Sequence, residues 1–170
     1  AGQPDLLLVR VSVQALGGAI AVTAAATTSN TANAIPEKEG TNAEGEDVGV
    51  GASVAVNRMD HDVTADLQAG TPITGSATTF TVGAAGNHTT VTKAQNGAKG
   101  DDAGVGVGAA VTIGTSDTLA FAGSGAGTLS LSGNAAVNAT HLHQVTATSD
   151  ADAASSSAAV GASVVVTVLD

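Results

Sequence analysis

Apolar residues recur at every second position, in short runs along most of the 170-residue chain, and not at the three-and-four spacing of a helix. The runs begin with Leu6/Leu8, or the competing phase Leu7/Val9/Val11/Val13, and continue through Ile20/Val22, Val48/Val50, Val54/Val56, Val63/Ala65/Leu67 and Phe80/Val82. Val105/Val107, Val111/Ile113, Leu119/Phe121, Leu129/Leu131, Val145/Ala147 and Val164/Val166/Val168 complete the series. A period of two puts the apolar side chains of each run on one face of a strand, which predicts an all-β chain. Between the runs stand Gly70-Thr71-Pro72, Ala85-Gly86-Asn87, Gly97 to Asp102, Gly123-Ser124-Gly125 and Gly133-Asn134, residues that reverse a backbone without strain. The alanine tracts Ala24 to Ala26 and Ser155 to Ala159 admit a helix, but their Ser and Thr neighbours disfavour one.

The material for a core is unusual. Hydrophobic residues make up 43% of the chain but aromatic ones only 1%, with Phe80 and Phe121 the sole examples, so buried volume must come from Val, Leu, Ile and Ala. Charged residues are 12%, about half the share of an ordinary soluble domain. Five basic against fifteen acidic side chains give a net charge of -10, which opposes binding to nucleic acid or an anionic membrane face. The absence of Cys excludes disulfides and thiolate chemistry. Leu6 to Val9 is cut off by Arg10 and is too short to cross a bilayer, so no membrane insertion is expected.

Repetition organises the runs. Gly49-Val50-Gly51-Ala52-Ser53-Val54-Ala55-Val56 returns as Gly106 to Ile113 and again as Ala159 to Val166, at offsets of 57 (108 minus 51) and 53 (161 minus 108). Thr79-Phe80-Thr81-Val82 is paralleled by Thr128-Leu129-Ser130-Leu131, and the run from Leu6 to Val13 is a candidate first copy. The length suits a single repetitive module, residues 1–170, with units of approximately 1–70, 71–125 and 126–170. The first unit is longer because it carries the acidic, proline-containing stretch from Ile35 to Asp47. Small Gly, Ala and Ser side chains let sheets or coils approach closely, while stacked Val ladders supply buried area at about 1.5 to 3 kcal/mol per residue. The expected fold is therefore β-solenoid-like, built of stacked short strands, with a β-sandwich as the alternative.

Gly49 to Asn57, followed by Asp62-Val63-Thr64-Ala65, resembles the repeats of very large bacterial surface proteins of the adhesin and haemagglutinin type. The second copy departs from that pattern at Gly114, where Asn is expected, and the third reaches Asp170 before the element is complete. The resemblance implies an extracellular or cell-surface, elongated structural segment of an adhesin or surface filament, cut from a longer polypeptide and without catalytic residues. A glycan- or receptor-binding module of such a protein is the alternative. Expected partners are flanking repeats or identical subunits, joined through the exposed edges of the terminal runs Leu6 to Val13 and Val160 to Val168.

Several constellations invite chemistry. His141-Leu142-His143 puts two imidazoles on one strand face and Asp60-His61-Asp62 flanks a third with carboxylates, but zinc needs three or four convergent ligands and these segments lie far apart in the chain. Glu37/Glu39, Glu44/Glu46/Asp47, Asp101/Asp102 and Asp150/Asp152 are candidate oxygen donors to calcium, although none follows an EF-hand or the calcium-binding nonapeptide. Carboxylate pairs also raise glycoside hydrolysis, but without Trp or Tyr there is no aromatic platform, and the reading is of a non-enzyme without a cofactor. Thr78-Thr79, Thr81, Thr89-Thr90, Thr92 and Thr146/Thr148 are a candidate flat hydroxyl array for ice or glycan surfaces. Asn87-His88-Thr89 and Asn138-Ala139-Thr140 match the N-glycosylation pattern.

Overall fold

A computed structural model describes residues 13–35, 43–69, 73–123 and 129–170. The run from Leu6 to Val11, the acidic pair Glu37/Glu39, the turn Gly70-Thr71-Pro72 and Ser124-Gly125 lie outside the described residues. Among the described residues every regular element is a strand: β1 (Val13–Leu16), β2 (Ala19–Ala34), β3 (Ala43–Gly45), β4 (Val48–Leu67), β5 (Ile73–Ala77), β6 (Thr79–Gly100), β7 (Ala103–Ala122), β8 (Leu129–Leu131), β9 (Ala135–Ala154) and β10 (Ala158–Leu169). Neighbouring sequence runs merge, so that Val48/Val50, Val54/Val56 and Val63/Ala65/Leu67 all belong to the 20-residue β4. The alanine tract at Ala24 to Ala26 is extended within β2.

The chain makes three passes, β1 to β4, β5 to β7 and β8 to β10, and corresponding strands pair across passes. One sheet has the order β1-β5-β8, a second β10-β7-β4, and a third β2-β6-β3 with β9 also on β6. The pairings of β1 with β5, β5 with β8, β3 with β6 and β7 with β10 are parallel. Parallel repeat-on-repeat stacking is the solenoid-type arrangement, and it excludes a sandwich made from antiparallel hairpins. Gly17 and Gly18 make the corner between β1 and β2 with φ of 86° and 127°, values that a side chain rarely tolerates.

Register corrects the sequence alignment. Ala158 lies opposite Ala103 and Val160 opposite Val105, an offset of 55 (158 minus 103), where matching the glycine motifs gave 53. A slip of two residues leaves every side chain on its own face, so alternation cannot distinguish the two registers. The corner hydrogen bonds decide it: the amide of Asp102 donates to the Asp47 carbonyl at 2.9 Å, and that of Ala158 to the Asp102 carbonyl at 3.1 Å. β3 sits on β6 at the same offset (98 minus 43), whereas β1 sits on β5 at 60 (73 minus 13). The five extra residues of the first pass therefore fall between β1 and β3, where the sequence places the acidic stretch.

The chain divides into two compact units, Ala1–Thr28, Asp60–His88 and Ser116–His143 forming one, and Ser29–Met59, Thr89–Thr115 and Gln144–Asp170 the other. The first has an aliphatic core of Ile20, Val63, Ala65, Leu67, Ile73, Ala77, Val82 and Ala84, with Phe80, Leu129 and Leu131 packed against it. Here the alternating residues point inward as the period requires.

The second unit is built the other way round. The inward row of β7 is Gly104, Gly106, Gly108, Ala110, Thr112 and Gly114, all buried, and Ala55, Ala94 and Ala110 form the small apolar cluster. Thr92 and Thr112, both fully buried, share a hydrogen bond of 2.7 Å, and the Asn57 amide donates to the Val91 carbonyl at 3.3 Å. The valines expected to form buried ladders face outward instead, Val50 being 65% and Val54 63% exposed. The reason is spacing: a Cβ on Gly104 would lie 2.6 Å from the Ala154 carbonyl oxygen, so that position admits no valine. The ladders still form, on the outer face, with Val160 beside Val105, Val166 beside Val111 and Val168 beside Ile113.

Candidate functional site

The strands bring together what the sequence holds apart. His61 on β4, His88 on β6, and His141 and His143 on β9 are the four histidines of the chain, and all four rings meet within the first unit. His61 stacks on His88, with ring centroids 4.7 Å apart and planes 9° from parallel. His88, His141 and His143 form a triangle with centroid separations of 5.5, 6.1 and 6.1 Å.

His88 is the centre of the cluster. It lies on the inward row of β6 and is 1% exposed. Its Nδ1 is 2.8 Å from Thr28 Oγ1 of β2, which in turn lies 3.3 Å from His61 Nε2. The other nitrogen of His88, Nε2, is buried and makes no hydrogen bond. Burial, followed by the neighbouring rings of His61, His141 and His143, holds the His88 pKa below the ordinary histidine value, and burial followed by His141 and His61 lowers that of His143. Neutral imidazole is thereby favoured at both. On β7, Thr118 Oγ1 lies 2.9 Å from His141 Nδ1.

Sequence reasoning found His141, His143 and His61 but missed His88, which it read only as the middle of a glycosylation pattern. The usable signal was the parity of β6, which puts Val82, Ala84, Gly86 and His88 on one inward face. Asp60 and Asp62, the carboxylates flanking His61, are exposed, because neighbours of an inward residue in a strand point outward.

The other candidates are placed differently. Glu46 and Asp47 turn the chain before β4, and Asp101 and Asp102 do so directly beside them in the next pass, with the Asp101 amide donating to the Glu46 carbonyl at 3.1 Å. In the third pass Ser156 and Ser157 occupy that corner, and Asp150 and Asp152 are exposed on β9. Among the described residues no three His, Cys, Asp or Glu side chains stand at coordinating geometry as placed. The threonine array does not form one surface: Thr90 and Thr92 are fully buried while Thr146 and Thr148 are exposed on β9.

One further surface stands out. In the second unit the outer face of the β10-β7-β4 sheet carries Val50, Val54, Val56, Val107, Val164 and Val166, each more than two-fifths exposed. Polar residues stand on the outer side of β6 and β9 in that unit, among them Lys93, Gln95, Lys99, Gln144, Asp150 and Asp152. No described helix is long and apolar enough to cross a membrane. No protein-family model, curated protein or solved structure matches the chain.

Proposed function

We propose that this chain is a non-catalytic structural segment of an extracellular adhesin or surface filament, lengthened by parallel addition of like repeats. The observation that carries the reading is the state of β10. β7 is covered by β4 along one edge and by β10 along the other, whereas all 12 residues of β10 are exposed. β10 pairs with β7 in parallel along its whole length, so its free edge offers a further repeat the same backbone donors and acceptors that β7 offers β10. The outer valine rows would continue across the added strand. The resemblance of Gly49 to Asn57 to surface-protein repeats supports an extracellular setting.

Light scattering over a concentration series tests the reading. End-to-end association that Val165→Lys in β10 abolishes is expected, since a charge on an edge strand blocks pairing. A chain that stays monomeric at the highest concentration, and in electron micrographs forms no extended particles, contradicts it. The second reading, a binding module, draws on the exposed valine face, because contiguous apolar surface marks protein contacts. Saturable binding to a glycan array or to host-cell receptors by the monomer would favour it.

A further inference from the structure

A second property follows from the histidine cluster and does not depend on the structural role. Gly86 precedes His88 by two residues on the inward face of β6. A Cβ at Gly86 would lie 2.9 Å from His88 Nε2, 3.4 Å from His141 Nδ1 and 2.5 Å from Thr118 Oγ1. Only glycine fits there, because two imidazole nitrogens and a hydroxyl converge on that point from β6, β9 and β7, the hydroxyl lying 2.9 Å from His141 Nδ1. His143 closes the ring triangle around it.

The chemistry at that point is specific. When Nδ1–H of His88 donates to Thr28 Oγ1, Nε2 carries a lone pair, and it is this buried nitrogen that has no partner. An imidazole held by a hydrogen bond at one nitrogen and free at the other is the usual form of a metal-bound histidine. First-row divalent ions such as zinc take imidazole readily, at about 2.0 to 2.1 Å. Two rings on one such ion have centroids about 5 Å apart, close to the observed separations of 5.5 and 6.1 Å. The carboxylates that compete for such ions elsewhere, Asp60 and Asp62, are exposed on the opposite face of β4.

We propose that His88, His141 and His143 bind one divalent transition-metal ion of the zinc class beside the Gly86 backbone, with Thr28 positioning His88 and the Thr118 hydroxyl giving up its hydrogen bond to His141 Nδ1. His88 belongs to the second pass of the chain and His141 and His143 to the third, so the ion ties successive repeats together where β6 pairs with β9. His141 is exposed, which leaves a coordination position open to solvent.

The test is calorimetric titration of the chelator-treated full chain with Zn2+, supported by the visible spectrum of the Co2+ form. One ion per chain, a raised melting temperature and a tetrahedral cobalt spectrum are expected. His141→Ala and His143→Ala, at exposed and half-buried sites, should each leave the β circular dichroism unchanged and weaken binding at least tenfold. Thr28→Val should weaken it about 10- to 100-fold, the usual effect of losing a ligand's supporting hydrogen bond. Asp101→Asn with Asp102→Asn should leave it unchanged. Absence of binding, undiminished binding in the His141→Ala/His143→Ala double variant, or loss in the Asp101/Asp102 variant overturns the proposal.

Discussion

Gly106 of β7 faces the backbone carbonyl of Asp152 of β9 so closely that any Cβ at position 106 would overlap that oxygen. The same is true along the inward row, where a Cβ on Gly104 would lie 2.6 Å from the Ala154 carbonyl oxygen. In the second unit glycine is therefore the packing residue, and the neighbour that must give way is backbone. Gly106→Ala should destabilise by about 1 to 3 kcal/mol, the usual cost of overpacking. Gly83, where a Cβ would meet nothing closer than Thr23 Cγ2 at 3.8 Å, is the control. Gly83→Ala should be neutral or stabilising by up to about 1 kcal/mol through the unfolded chain. Urea denaturation of both variants measures the contrast.

The buried hydroxyl pair Thr92 and Thr112 makes a second expectation. Thr92→Val leaves the Thr112 hydroxyl without its partner in a dry interior and should cost about 1 to 3 kcal/mol. The double variant Thr92→Val/Thr112→Val should recover most of that loss, because no hydroxyl then remains unpaired. A double-mutant cycle in urea reads the coupling, which should exceed about 0.5 kcal/mol for residues in contact.

Valine means different things in the two units. Val82 is fully buried in the aliphatic core, and Val82→Ala should cost about 2 to 3 kcal/mol from lost burial and the cavity left behind. Val54, at 63% exposure, should tolerate Thr within about 0.5 kcal/mol. Equal losses at the two positions, measured by thermal unfolding, would show that the outer valines are buried after all.

Acid should loosen the metal-free chain through His88 and His143. Both have pKa values lowered by burial first and by neighbouring histidines second; the titratable rings facing them are His61 from β4 and His141 from β9. The unfolded chain, with its histidines near 6.5, binds protons before the folded one does. Stability is thus complete above that value and falls as the pH drops from it toward the lowered folded pKa. Melting temperature with chelator present should be level above about pH 7.5 and decline from about pH 6.5 downward. His88→Gln should flatten the decline.

Much of the fold was legible because alternation identifies strands, and each named run within the described residues lies in one. What alternation cannot say is which face is inside. Val48 to Val56 occupy even positions and Val63 to Leu67 odd ones, so a single strand through both must turn one set outward. Read as separate short strands, these runs concealed the change of phase that β4 makes visible. The glycines carried the missing information: a row such as Gly104, Gly106 and Gly108 has no side chains to solvate and is most useful where two backbones meet. The histidine cluster was illegible for another reason. His61, His88 and His141 belong to three different passes, and only the register places them side by side. A register error of two residues, invisible to the pattern, is enough to separate such rings.

The central claim is parallel stacking of like strands at an offset of 55 residues (160 minus 105) with valine outside, and paired cysteines test it directly in a chain that has none of its own. Val105→Cys with Val160→Cys joins residues on adjacent strands about 4.8 Å apart, within disulfide reach. Val107→Cys with Val160→Cys samples the offset of 53 (160 minus 107), about 8 Å away along the diagonal, beyond that reach. Rapid oxidation of the first pair without loss of β circular dichroism, and none of the second, is the expected result; preferential oxidation of the second pair, or of neither, contradicts the account.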